Sequence, residues 1–149
     1  MIALILLACT PLDSTPGTLD EGVWEAYPGV GDTRCQLDAG GWSLERPPSD
    51  TPGWCWLDRI EPLDLSPGSS VVLHPTWEHS RSEGRLQAEL DGLLELGELD
   101  WPLSDGRVEA WTVVRVGADA PLSFRLELPP SNRHTTLRVT GLSLMGLAE

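Results

Sequence analysis

The sequence predicts an all-β domain: an antiparallel β-sandwich, jelly-roll-like, of about eight to ten short strands. Three observations predict it. Apolar and polar residues alternate without error in LSFRLEL (Leu122–Leu128), the two-residue period of a strand with one buried face. Turn signals punctuate the chain at Pro28-Gly29, Gly40-Gly41, Pro52-Gly53, Pro67-Gly68, Asp105-Gly106 and Pro129-Pro130. No stretch carries a convincing amphipathic helical period.

Taken in chain order, the first element, Ile2 to Ala8, is an unbroken apolar run. A membrane-spanning helix needs about 20 residues, so this run is too short to cross. It has the length of the hydrophobic region of a signal peptide. It ends in Leu6-Leu7-Ala8-Cys9, which resembles the lipobox of bacterial lipoproteins. That resemblance implies cleavage before Cys9 and a lipidated, palmitate-bearing Cys9. With Thr10 rather than Asp behind the Cys, it also implies delivery to the outer membrane. The rival reading of the same residues is a buried first strand with Cys9 as a core thiol. Thr10 to Gly22 has the composition of a linker, dominated by Pro, Gly, Ser, Thr and Asp. The expected organisation is therefore 1–8 signal peptide, 9–22 lipidated Cys and flexible tether, 23–149 sandwich.

The remaining elements read as strands. SSVVLHPTW (Ser69–Trp77) is one whose Pro75 points to a sheet edge, because Pro cannot donate to the ladder. RLQAELDGLLEL (Arg85–Leu96) reads as a hairpin about Leu90-Asp91-Gly92, pairing Ala88 with Leu94 and Leu86 with Leu96. A helix is the rival, since Leu86, Leu90, Leu93 and Leu94 also fit a 3.6-residue period. RVEAWTVVRV (Arg107–Val116) is rich in β-branched residues. It puts Val108, Ala110, Val114 and Val116 on one face and Trp111 with Val113 on the other. TTLRVTGLSLM (Thr135–Met145) alternates and then changes phase at Gly141, where a bulge would shift the register.

GWSLERPPSDTPGWCW, then LDLSPGSSVVLHPTW, a later Trp-bearing strand and a terminal TLRVTGLSL together resemble the jelly-roll carbohydrate-binding and galactose-binding-like modules. The resemblance spans roughly Gly41 to Leu147. It implies a non-catalytic domain that binds glycan, and it carries over no ligand residue.

Charge narrows the partners. There are 23 acidic and 10 basic residues, a net charge of −13. Such a chain repels phosphate backbones, which excludes nucleic acid as a partner. No Gly-x-Ser-x-Gly, phosphate-binding glycine loop or nucleophile with a placed base is present, so no catalytic residue and no cofactor are assigned. Asp13, Asp20 and Glu21 have the chemistry of calcium ligands, but the expectation is no metal. His74, His79 and His134 read as solvated surface residues.

Cys35 and Cys55 are the two thiols in the body of the chain. Alternation places Cys35 with Leu37 and Cys55 with Leu57, so both would face the core. In an oxidising envelope two such thiols pair; two buried free thiols are the alternative. If Cys55 and Leu57 face inward, Trp54 and Trp56 face outward together. Exposed indoles suit sugars, whose C–H faces stack on the ring, and Trp54, Trp56 and Trp111 are the candidate ligand-binding residues. The expected protein is a lipid-anchored envelope lipoprotein with a glycan-binding sandwich. The alternative is a structural lipoprotein that contacts another envelope protein and takes no small ligand.

Overall fold

The computed structural model describes residues 9–12, 19, 22–30, 32–64, 66–80, 84–90, 93–95, 99–103, 106–116 and 121–147. These form thirteen strands and no helix: β1 (Cys9–Pro11), β2 (Trp24–Tyr27), β3 (Arg34–Asp38), β4 (Gly41–Arg46), β5 (Gly53–Arg59), β6 (Ser70–Ser80), β7 (Gly84–Leu90), β8 (Leu93–Glu95), β9 (Asp100–Leu103), β10 (Gly106–Glu109), β11 (Thr112–Val116), β12 (Leu122–Leu128) and β13 (Thr135–Leu147). All pairings are antiparallel. One sheet has eight strands in the order β3-β4-β13-β6-β11-β8, with β1 added on β13 and β10 on β6. The other has five, β2-β5-β12-β7-β9. The all-β sandwich is as expected. The strand count exceeds eight to ten because β1, β8, β9 and β10 are short pieces of three or four residues.

Alternation builds the core. On β12, Leu122, Phe124, Leu126 and Leu128 are buried and the residues between them are not. Trp24 packs edge-on against Phe124 with ring centroids 5.8 Å apart, and Trp101 stacks on the same ring at 6.5 Å. Trp42 and Trp77 are also buried. On β13 the buried set is Thr135, Leu137 and Val139, then Leu142 and Leu144. The switch from odd to even positions falls at Thr140. There the register against β6 passes from Val139–Trp77 to Gly141–Thr76 and leaves Thr140 as the extra residue. The bulge expected at Gly141 is present.

Two turns need glycine. At the β3–β4 turn Gly41 has φ +116°, and a Cβ there would lie 2.2 Å from the Val139 carbonyl oxygen. Gly68 (φ +84°) follows Pro67 in a turn closed by Ser69 N–H on the Ser66 carbonyl at 3.0 Å, the dihedral signature of a type II turn.

Two expectations are corrected. β7 and β8 are not a hairpin. β7 is paired on both sides, by β12 and β9, and so has no free edge; β8 crosses to the other sheet and pairs with β11. The expected loop residues Asp91 and Gly92 lie outside the described residues. Pro75 is not on an edge strand, since β6 lies between β13 and the β10/β11 pair. Its carbonyl accepts from Ala110 N–H at 3.1 Å. The N and O of one strand residue point the same way, so the missing donor faces Ala110, between β10 and β11, and the ladder loses one bond there. Of the stretch read as lipidated Cys and tether, 9–22, the described residues are 9–12, 19 and 22. Cys9–Pro11 pairs with Met145–Leu147, Leu12 N–H bonds to the Leu144 carbonyl at 2.9 Å, and Leu19 is buried.

Candidate functional site

Strand parity builds the site on the outer face of the five-stranded sheet. On β5, Gly53, Cys55 and Leu57 are buried while Trp54 and Trp56 are half-buried on the opposite side. Directly paired residues share a face, which extends each position into a row across the sheet. One row runs Tyr27, Trp56, Arg125, Gln87, Asp100. A second runs Trp54, Glu127, Arg85, Pro102. A third runs Glu25, Asp58, Ser123, Glu89. At a strand spacing of about 4.8 Å, the first row is about 19 Å long.

The two indoles meet edge to face, 6.2 Å between centroids and 85° between planes. Tyr27 extends the aromatic row at the sheet edge and is 38% exposed. Its hydroxyl donates to Glu25 Oε2 at 3.0 Å. That bond to a carboxylate, followed by desolvation and the negative charges of Glu25 and Asp58, holds the phenol above its ordinary pKa.

Polar side chains beside the aromatics are tied together. Gln87 Oε1 accepts from Arg125 Nε at 3.0 Å and also from Arg125 Nη2. Gln87 Nε2 donates to Asp100 Oδ2 at 3.3 Å. Arg125 reaches Glu127 at 3.4 Å, and Arg85 lies 3.2 Å from Asp100 Oδ1. Both arginines of the face are thus matched by acids, and Glu25, Asp58 and Glu89 leave it net negative.

Cys35 and Cys55 form a disulfide with Cα atoms 6.0 Å apart. It joins β3 of the eight-stranded sheet to β5 of the five-stranded sheet, directly beneath the Trp54–Trp56 pair. Cys55 is fully buried and Cys35 partly so.

The third candidate indole is elsewhere. Trp111 lies on the outer face of the eight-stranded sheet, so the structure does not bring it to Trp54 and Trp56. It is 58% exposed and stacks on His74, centroids 3.5 Å apart at 11°. His74 is therefore covered rather than solvated, its side chain 15% exposed. His134 is exposed and pairs with Glu45 at 2.9 Å. Asp13, Asp20 and Glu21 lie outside the described residues. Among the described residues no three His, Cys, Asp or Glu side chains converge as a metal site requires.

Sequence reasoning missed Arg46. Its side chain is 1% exposed and its guanidinium donates to the carbonyls of Thr51 (2.7 Å), Leu128 (3.2 Å) and Pro129. Desolvation lowers its pKa. Position Arg46 continues the inward series Trp42, Leu44, and that parity was the available signal.

No protein-family model matches the chain, and no curated protein matches it. Several solved structures are similar in fold. The N-terminal cellulose-binding domain of a Cellulomonas fimi β-1,4-glucanase superposes with TM-score 0.56 at 14% identity, over 87% of this chain and 92% of that one. A structure described as CBM4 gives 0.54 at 16% identity, over 84% and 95%. The family 11 carbohydrate-binding module of a Clostridium thermocellum cellulosomal cellulase gives 0.54 at 11% identity, over 96% and 97%. At these identities the likeness establishes the fold: the chain is an all-β sandwich of the architecture that carbohydrate-binding modules use.

Proposed function

We propose that this is a non-catalytic glycan-binding domain whose site is the outer face of the five-stranded sheet. The observation that carries the reading is the outward Trp54–Trp56 pair, continued by Tyr27 in one row with a fixed Arg125–Gln87–Asp100 network. Indole and phenol faces take the C–H faces of a pyranose, and the amide, guanidinium and carboxylate groups take its hydroxyls. The fold neighbours support the reading. One of them, a family 11 module, was solved with a β-1,3-1,4-mixed-linked tetrasaccharide. The perpendicular indoles cannot both lie flat on one plane, which favours a single glycan chain over a flat crystalline surface. The negative face favours a neutral chain over a polyuronate. Affinity electrophoresis and calorimetry with soluble β-1,3-1,4-glucan test this, with polygalacturonate as the control. Binding should be micromolar to millimolar, about −8 to −4 kcal/mol, and lost in Trp56→Ala. Failure to bind any neutral glycan on the panel would refute the reading.

Cys9 is proposed as the lipid attachment point at the outer membrane, on the strength of Leu6-Leu7-Ala8-Cys9 and Thr10. Because Cys9–Pro11 pairs with β13, the acylated residue would sit against the domain rather than at the end of a free spacer. The native-length protein should partition into detergent and Cys9→Ser should not. A Cys9→Ser chain that still fractionates with membranes would overturn the assignment.

A further inference from the structure

The outer face of the eight-stranded sheet carries one indole that the site above does not use. Trp111 sits between β10 and β11, and the register of both strands on β6 puts it opposite His74, with Ala110 opposite Pro75. Its ring stacks on the His74 ring, centroids 3.5 Å apart and 11° from parallel. His74 is in turn held by Glu109, whose Oε2 is 3.2 Å from its Nε2. One face of the indole is therefore filled by the imidazole, while the side chain as a whole stays 58% exposed. A ring pinned in this way loses little rotamer freedom when a ligand covers it. The neighbours are polar on one side: Glu109, 65% exposed, and Ser143, which pairs with His74 across the sheet.

We propose that Trp111, stacked on His74 beside Glu109, is a second and independent stacking site for a neutral pyranose chain, so that one domain joins two polysaccharide chains. The inference rests on the glycan-binding reading and extends it to the opposite face. With one face against His74 and the side chain 58% exposed, the ring has its other face to offer, the geometry that fits another flat ring. The Glu109 carboxylate, in a chain of net charge −13, disfavours an anionic sugar at the same spot. Each sheet presents its own outer face, so a chain bound at Trp111 and a chain bound at Trp54–Trp56 are separated by the thickness of the sandwich and cannot exclude one another.

The test follows the indole N–H signals of the full chain carrying Cys9→Ser, with the Trp111 signal assigned by Trp111→Phe. The probe is a β-1,3-1,4-mixed-linked tetrasaccharide. Two separate titrations are expected, one on the Trp54 and Trp56 signals and one on Trp111. Trp111→Ala should remove the second and leave the first within about twofold, with an unchanged melting temperature because the ring is mostly exposed. His74→Ala should weaken the second titration several-fold by freeing the ring, and His74→Phe should restore it by restoring the stack. Soluble β-1,3-1,4-glucan should gain viscosity with the Cys9→Ser chain and not with its Trp111→Ala derivative, which still binds. A response confined to Trp54 and Trp56 would overturn the second site and leave the first standing. A Trp111 signal that moves with phosphatidylcholine vesicles and not with the tetrasaccharide would overturn it in favour of a lipid contact. No response at any indole to any neutral glycan would overturn both.

Discussion

Trp54 and Trp56 differ from Trp24, Trp42, Trp77 and Trp101 only in the side of the strand from which they leave it, and that side fixes what each substitution should do. Trp24→Ala removes a fully buried ring packed on Phe124 and is expected to cost about 3–5 kcal/mol. Trp54→Ala and Trp56→Ala remove half-buried rings and should melt much closer to the parent while losing glycan binding. Thermal melts of the three variants beside a binding assay separate the roles. Tyr27 gives a second test, because it is the chain's one tyrosine and its phenolate absorbance can be followed alone. Its phenol should titrate above the ordinary value of about 10. The proton it donates to Glu25 is favoured by folding, so the contribution is complete at neutral pH and is lost as pH rises through the raised pKa. Glu25→Ala should bring the titration down; an unmoved curve would show that the Glu25 contact is not its cause. The outward Trp54–Trp56 pair was legible from GWCWL because period-two parity needs no tertiary information. Trp111 was legible as outward but not as separate from them, since which sheet a strand joins is decided by pairings far away in sequence. Parity could turn Arg46 inward, but its carbonyl partners at Thr51, Leu128 and Pro129 are brought to it only by the tertiary fold.

Among the elements, β13 shows best how a local pattern sets long-range structure. Its alternation breaks once, at Thr140, and that one residue keeps Leu137 and Val139 on one side of the bulge and Leu142 and Leu144 on the other all facing inward. Deleting Thr140 should rotate Leu142 and Leu144 to the outer face and turn Ser143 and Met145 into the core. The expected result is loss of cooperative unfolding in a thermal melt. A deletion variant that melts like the parent would mean the bulge can relocate. The phase change was readable in TTLRVTGLSLM because it is written in consecutive residues. The β7–β8 relation was not. Leu86, Leu90, Leu93 and Leu94 satisfy hairpin, helix and sheet-crossing geometries alike, and the choice fell to β12 and β9, which occupy both edges of β7. Pro75 misled for a similar reason. A proline excludes a ladder bond at one position, and the fold supplies the gap between β10 and β11 rather than an edge.

At the scale of the molecule, the Cys35–Cys55 disulfide is a covalent cross-link between the two sheets. It closes a loop with a sequence separation of 20, worth about 3 kcal/mol in the chain-entropy account. Reduction should therefore lower the melting temperature by about 10 °C and weaken the seat of Trp54 and Trp56 above it; an unchanged transition after verified reduction would show that the native packing alone holds the sheets. The eight-stranded sheet carries a different consequence, one of timing. β13, last of the described strands in sequence, lies between β4 and β6 at the middle of that sheet and also pairs with β1. During synthesis β4 and β6 emerge long before the strand that joins them, so each waits with an open edge and an uncovered apolar face. The sheet can close only when residues 135–147 arrive, a non-local step of the kind that holds β-sandwich folding to milliseconds or seconds. In that interval the nascent chain is a substrate for holdase chaperones and for self-association, which makes the yield of folded protein a matter of how long β4 and β6 are kept apart from other chains.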